Sequence, residues 1–384
     1  MLDLIASLGF LVVQWRLAVI LLRRIRLMEV RWRKPAWVAL ALLGVIVAAG
    51  WACAAPELSA QFGLTSKAVP LFGALTMCYT IVAAVALALH AIIGLLHRHL
   101  NTNANPGRRR VLKLVGNAAI ATPFAAIAYG ALVKRTDFQI REVDIPLAGL
   151  PADLEGLRIL HLSDIHLSVF LTEQELARAV DMACDLRPHI AFFTGDFIST
   201  IGDPLEACIR QLSRVKADAG MFACLGNHER YARAERQATE LAGRCGIPML
   251  RGAAQPLRFG NAVMNVAGVD YQSIYHKERY LAGADCLVAP GALNLLLSHN
   301  PDVFPVAVRQ GYDFVLAGHT HGGQVTVEIL DQGINPARFF TPFVRGLYRQ
   351  DKSALYVTPG IGTIGIPARF GVPPEISLLR LRKA

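Results

Sequence analysis

Residues 157–167 read LRILHLSDIHL, residues 190–196 read IAFFTGD and residues 221–229 read MFACLGNHE. Each opens with a short apolar run and breaks into small and polar residues, the pattern of a buried strand that ends in a loop. Between them, residues 172–185 and 204–215 carry apolar residues at helical spacing, the first behind an acidic first turn. The series is βαβα. Further strands are expected at 262–269, 292–298, 314–317, 324–327, 355–358 and 376–381. Some of these follow one another without a helix, so the expected fold class is α/β with mixed β-sheets flanked by helices, not a purely parallel doubly wound sheet.

Polar residues of metal-binding type recur just past the expected strand ends: Asp164 and His166, Asp196, Asn227 and His228, His299, then His319 and His321. Loops at the carboxyl ends of strands in a layered α/β fold converge on one edge, where ligands bind. Taken singly, each residue has an ordinary explanation as a turn, a cap or a packed side chain. Eight donors delivered from five strand ends instead suit two metal ions that share a carboxylate. His161, within the first strand, reads as packed, and His189, just before the second, as a surface residue.

The blocks Asp164-Ile165-His166, Gly195-Asp196, Gly226-Asn227-His228-Glu229, Ser298-His299 and Gly318-His319-Thr320-His321 resemble, in order and approximate spacing, those of the calcineurin-like metallophosphoesterases. Five blocks in order are specific where any one would be weak. Gly322-Gly323-Gln324 and the segment GIGTIGIPARFGVPPEI at 360–376 look like the membrane-anchored bacterial branch of that family.

The resemblance implies a layered metallophosphoesterase fold over residues 150–384 and a dinuclear centre. One metal is expected on Asp164, His166, Asp196 and His321, and the second on Asp196, Asn227, His299 and His319, with Asp196 bridging. Two cations about 3.5–4 Å apart can polarise a phosphoryl group and stabilise the charge that develops during in-line attack. Imidazole with carboxylate suits Mn, Fe or Zn. His228 is expected to be the general acid, a task suited to imidazole near neutral pH. Protein phosphatases of the family carry an aspartate three residues after the bridging one to orient this histidine. Here that place is Ser199, so His228 must be oriented from elsewhere, for instance by a backbone carbonyl. Arg369, among glycines and prolines, is a candidate contact for substrate phosphate, with a structural role in its loop as the alternative.

The first part of the chain reads differently. Of 384 residues, 53% are hydrophobic, too many for a soluble pair of domains, and the excess lies before about residue 135. Residues 35–55, 69–96 and 111–133 are long enough to cross a ~30 Å hydrocarbon core as helices. The first 22 residues are apolar too, but Gln14 and Arg16 fall mid-run, and a central arginine costs about 2.5 kcal/mol or more. This stretch either crosses with Arg16 against neighbouring helices or lies in the interface, so residues 1–135 are expected to hold three or four spans.

The net charge of +10 is concentrated in two clusters, Arg23 to Lys34 and Arg98 to Lys113. The positive-inside rule assigns both to the cytoplasm, the link 56–67 to the outside, and everything after residue 135 to the extracytoplasmic face. Arg108-Arg109-Arg110 before an apolar run also resembles a twin-arginine export signal, which delivers the domain to the same side. The second half lacks an aromatic-interleaved basic stripe, so nucleic acid is not an expected partner. Seven cysteines at irregular spacing imply no disulfide framework.

The expected function is metal-dependent hydrolysis of a phosphomonoester or phosphodiester by an integral protein of a bacterial inner membrane. Its substrate is expected to be lipid-linked or part of the envelope. One alternative is a pyrophosphate hydrolase of the UDP-2,3-diacylglucosamine type in lipid A synthesis. Against it, that branch has arginine at the place of His228 and works at the cytoplasmic face. The other alternative, a catalytically silent metal-binding sensor, would be marked by a missing ligand, and none is missing.

Overall fold

The computed structural model describes residues 2–54, 68–100, 106–324, 326–329 and 332–384, which fall into two compact units divided near Ala131 and Leu132. The expected external link at 56–67 lies outside the described residues.

The first unit is helical: α1 Leu2–Arg26, α2 Val30–Cys53, α3 Ala68–Leu100 and α4 Pro106–Leu132. Phe10 of α1 stacks on Trp51 of α2 with ring centroids 4.3 Å apart. Gly50 lets α2 and α3 approach closely, since a Cβ there would lie 1.9 Å from Thr76 Oγ1. Two described helices are long and apolar enough to cross a membrane, Val30–Cys53 and the stretch Leu71–Leu95 within α3. The third expected span, 111–133, falls within helix α4, and its crossing of a membrane stands as an expectation from the sequence. Helix α1 carries Arg16 exposed on its side.

The second unit holds the strands β1 Gln139–Leu147, β2 Arg158–Leu162, β3 Ile190–Thr194, β4 Met221–Cys224, β5 Ala253–Phe259, β6 Ala262–Gly268 and β7 Leu293–Leu297. They continue as β8 Phe314–Ala317, β9 Val327–Ile329, β10 Gln332–Ile334, β11 Gly346–Gln350, β12 Ser353–Val357 and β13 Glu375–Lys383. One sheet has the order β1-β13-β2-β3-β4 and another β11-β12-β8-β7-β6-β5, with β9 and β10 as a separate hairpin. β2, β3 and β4 are parallel, as are β6, β7, β8 and β12, while β13 runs antiparallel to β2.

Side-chain alternation decides the layers. Ile159, Phe192 and Leu379 of the first sheet meet Met264, Leu295, Phe314 and Leu316 of the second in one buried core. Their neighbours Leu160, Ala191 and Phe193 point the other way, onto helices α5 Glu173–Asp185, α6 Leu205–Leu212 and, after the short α7 Asn227–Tyr231, α8 Glu235–Arg244. Leu296, Val315 and Leu355 face the opposite side, onto α9 Phe304–Gln310. The result is a helix–sheet–sheet–helix sandwich, and strands buried on both faces read as continuous apolar runs.

Most expected elements are present within a residue or two. Helix α5 starts at a capping box in which Thr172 Oγ1 accepts from Glu175 N–H at 3.2 Å and Glu175 accepts from Thr172 N–H at 2.8 Å. The strand expected at 324–327 begins instead at Val327, because Gln324 closes a short helical turn. Strands β1, β5 and β11 are not among the expected ones. They lie at sheet edges, β1 is exposed along its first half, and β5 contains Pro256, so none carries a buried apolar run. None of the seven cysteines forms a disulfide.

Candidate metal centre

The loops after β2, β3, β4, β7 and β8 meet at one end of both sheets and bring six of the predicted ligands and His228 together, with Asn227 next to His228 in the chain. Three groups of side chains there each place their donor atoms within 4.8 Å of one another: Asp164 with His166 and His321; His166 with Asp196 and His228; and Asp196 with His299 and His319. Asp196 lies between the sides, its Oδ2 3.0 Å from His299 Nε2 and 3.5 Å from His166 Nε2. His321 Nε2 is 3.3 Å from Asp164 Oδ1.

The backbone is bent to do this. Asp164, His166, Asp196, His319 and His321 all have left-handed φ values between 49° and 71°. Each such non-glycine residue costs about 1 kcal/mol or more. Cross-loop hydrogen bonds offset that: His166 N–H to Asp196 O at 2.9 Å, Asp164 N–H to Gly195 O at 3.1 Å, and His319 N–H to the Asp164 carboxylate at 3.1 Å. Gly226 and Gly318 are required by close approach, since a Cβ on either would lie 2.1 Å from a carboxylate oxygen of Asp196 or Asp164.

Several features fit a cation. His166 Nε2 and His321 Nε2 face each other at 3.2 Å, and a cation between two imidazoles satisfies both lone pairs. Asn227 Oδ1 is buried without a hydrogen-bond partner. His299 Nδ1 lies 2.6 Å from the Thr194 carbonyl, which only accepts, so Nδ1 carries the hydrogen and Nε2 is left for a ligand. Burial alone would lower the His299 imidazole, but Asp196 and Asp164 beside it push it up to about 10. The carboxylates thus hold positive charge where a metal would sit. Burial lowers His319 to about 3, with the His299 charge adding to it, and burial also holds His321 well down, so both are neutral and competent to ligate. Asp196 is held well below the usual carboxylate range, where burial is outweighed by His299 and His166.

His228 is oriented by Ser199. Its Nδ1 lies 2.6 Å from the Ser199 carbonyl, which fixes the hydrogen on Nδ1 and leaves Nε2 open. Ser199 Oγ sits 3.1 Å from His166 Nδ1, so one residue orients two histidines. Asp203 holds the turn that presents it, accepting from the Ser199 and Thr200 N–H groups at 2.9 Å. Burial lowers His228, against the raising effect of Asp196.

Glu229 belongs to the Gly226–Glu229 motif, but the sequence alone assigns it no role. It is fully buried and accepts three backbone N–H bonds, from Asp196 at 2.9 Å, Phe197 at 2.7 Å and Gly226 at 2.8 Å. It ties the loop after β3 to the turn before His228. Burial, with Asp196, pushes its carboxyl up to about 7, against three N–H donors that favour the ionised form.

Arg369 is placed away from the role of substrate contact. It is fully buried and donates to the carbonyls of Pro359, Gly360, Gly362 and Val372. The segment it braces supports Asp164 from behind: Ile361 N–H donates to Ser163 O at 3.1 Å and Gly362 N–H to Asp164 O at 2.7 Å. His161 is packed, with Nε2 2.8 Å from Thr194 Oγ1. His189 is half-buried and accepts from Arg158 N–H at 3.0 Å.

A two-sheet α/β sandwich with overlapping His/Asp groups at one end of both sheets defines a class, a metal-binding α/β domain. Residues 157–323 match the family described as calcineurin-like phosphoesterase, and the chain belongs to the calcineurin-like metallophosphoesterases. It is 31% identical over 306 residues to "Transmembrane protein with metallophosphoesterase domain" of Danio rerio, covering 72% of this chain and 63% of that one. It is 26% identical over 283 residues to "Uncharacterized metallophosphoesterase YkuE" of Bacillus subtilis (strain 168), covering 72% and 97%. With "Phosphodiesterase YaeI" of Escherichia coli (strain K12) it shares 27% over 231 residues, 58% of this chain and 82% of that one. The chain thus spans less than two thirds of the zebrafish relative.

Proposed function

We propose that the protein is a membrane-anchored metallophosphoesterase that hydrolyses a phosphomonoester or phosphodiester. The observation that carries this is the pair of ligand groups sharing Asp196, together with a histidine, His228, that is held in one tautomer beside them. The family supports the reaction class, and one relative bears the name phosphodiesterase.

Asp164, His166, Asp196 and His321 would hold one divalent ion, and Asp196, Asn227, His299 and His319 a second, with Mn, Fe or Zn suited to the imidazole-rich donors. When bound, such ions supply charge that polarises the phosphoryl group and favours in-line displacement. His228 serves as general acid: with Nδ1–H donated to Ser199 O, a proton on Nε2 passes to the leaving oxygen as its bond to phosphorus breaks. Ser199 and Glu229 act as positioning residues, the first through His228 and His166, the second through the backbone of Asp196.

The apolar helices would anchor the domain, and the positive-inside rule applied to the basic clusters at Arg23–Lys34 and Arg98–Lys113, with α4 crossing after the second, supports an extracytoplasmic position for residues after 135. A domain that begins so close behind a membrane helix is placed to meet lipid-linked or envelope phosphoesters.

The test is hydrolysis of aryl phosphate monoesters and diesters by the purified full chain, stripped of metal and resupplied with Mn, Zn or Fe. Activity that returns with metal and is lost in Asp196→Ala supports the reading. A folded, metal-loaded chain inert to both ester classes overturns it. An alkaline phosphatase fusion at the carboxyl terminus tests the orientation, and a fusion active only in the cytoplasm refutes it.

A further inference from the structure

Beside the metal centre lies a groove of about 400 Å³ that runs from His319 outward between Ile274, Tyr275, Pro301, Ala337 and Phe340. We propose that this groove is the subsite for the aliphatic tail of an amphiphilic phosphoester, whose phosphate occupies the metal centre. The inference rests on the phosphoesterase reading and adds the substrate class.

Three observations carry it. The groove shares His319 with the ligand group of Asp196 and His299, so a molecule bound along it ends at the metal centre. Several of its polar lining groups are already hydrogen-bonded within the fold. Asn300 Nδ2 donates to Gln272 O at 2.7 Å and meets Tyr280 Oη at 3.1 Å, while Asn300 Oδ1 accepts from Asp302 N–H at 2.9 Å. Thr341 Oγ1 bonds Asp302, and Thr320 Oγ1 bonds Val344 O. The walls therefore offer hydrocarbon contact and few free hydrogen-bonding groups, Lys277 at the rim being 3.9 Å from Asp302. Finally, large apolar side chains of the same lining stand in water: Tyr275 is 74% exposed, Phe340 79% and Ile274 37%. Single exposed apolar residues are ordinary, whereas a cluster around a concavity that leads to a metal-ligand group marks a binding surface.

The experiment uses the full chain in lipid nanodiscs and 4-nitrophenyl phosphodiesters whose second ester is ethyl, butyl, hexyl or octyl. Each methylene that leaves water is worth about fourfold, so kcat/KM should rise at least about tenfold from ethyl to octyl. In Tyr275→Ser and Phe340→Ser the octyl-to-ethyl ratio should fall several-fold towards one. Partition into the nanodisc is common to wild type and variants, so the difference in ratio isolates the groove. The matching alkyl phosphonates, which are not hydrolysed, are titrated alongside by calorimetry. Hydrolysis with the same chain-length dependence in wild type and both variants overturns the subsite and leaves the phosphoesterase reading intact. Phosphonate affinity that rises with chain length only in the wild type, without hydrolysis of any ester, keeps the groove and refutes the reaction. A variant that changes only the elution volume assigns the patch to contact between copies and overturns the proposal.

Discussion

Replacing Glu229 by glutamine should loosen the metal centre without touching a ligand. Glu229 Oε2 accepts from Asp196 N–H and Gly226 N–H, and Oε1 accepts from Phe197 N–H. A carboxamide placed with its oxygen at the Oε2 position keeps two of these bonds and turns its NH2 against the Phe197 N–H. One buried donor is then unpaired and faces another donor, a cost of about 1–3 kcal/mol. For a domain of this size that corresponds to a fall of roughly 2–12 °C in Tm. Glu229→Ala orphans all three donors and leaves a cavity, so its loss should be larger, about 5 kcal/mol. Because one of the N–H groups belongs to Asp196, the variants should also bind metal more weakly, about tenfold for glutamine. The assay is thermal unfolding of the full chain with and without Mn, together with metal titration against a chelator. A Glu229→Gln protein with unchanged Tm and metal affinity would refute the assignment of Glu229 as the clamp.

His228→Asn should lower kcat by about 10²–10⁴ with metal content unchanged, as metal analysis beside steady-state kinetics would check; equal losses of metal and activity would make His228 a ligand instead. In metal-free protein His299, raised to about 10, keeps its proton at neutral pH, and a metal must displace it. Affinity should therefore rise with pH, about tenfold per unit between pH 7 and 9, with proton release seen by calorimetry in buffers of different ionisation enthalpy; no release at pH 7.5 counts against it. Arg369→Met should cost about 3 kcal/mol or more by orphaning buried carbonyls, without a selective rise in KM for phosphoesters, and Arg369→Lys should not rescue it because one ammonium does not span them. A KM effect at unchanged Tm would restore the substrate-contact role.

Much of this protein is legible in its residues alone. The strands at 158–162, 190–194 and 314–317 announce themselves because burial on both faces demands mostly apolar residues. Strands β1, β5 and β11 do not, because edge positions tolerate exposed and even proline residues. The membrane region is legible as composition, and two of its described helices are long and apolar enough to cross a membrane.

The sequence by itself pointed to the candidate donor set, Asp164, His166, Asp196, Asn227, His299, His319 and His321, and to the family. Metal chemistry accepts only a few side chains, and parallel strands deliver them to one edge wherever the loops begin, so identity and order suffice. Only the tertiary structure decided how these donors are held. A backbone carbonyl has no side-chain signature, which hid Ser199 O as the partner of His228 and four carbonyls as the partners of Arg369. The clamp of Glu229 depends on three N–H groups from two loops, and the groove at His319 is assembled from residues 274–341, which are remote in the chain. These arrangements arise from packing two sheets face to face, and no local pattern of residues encodes them.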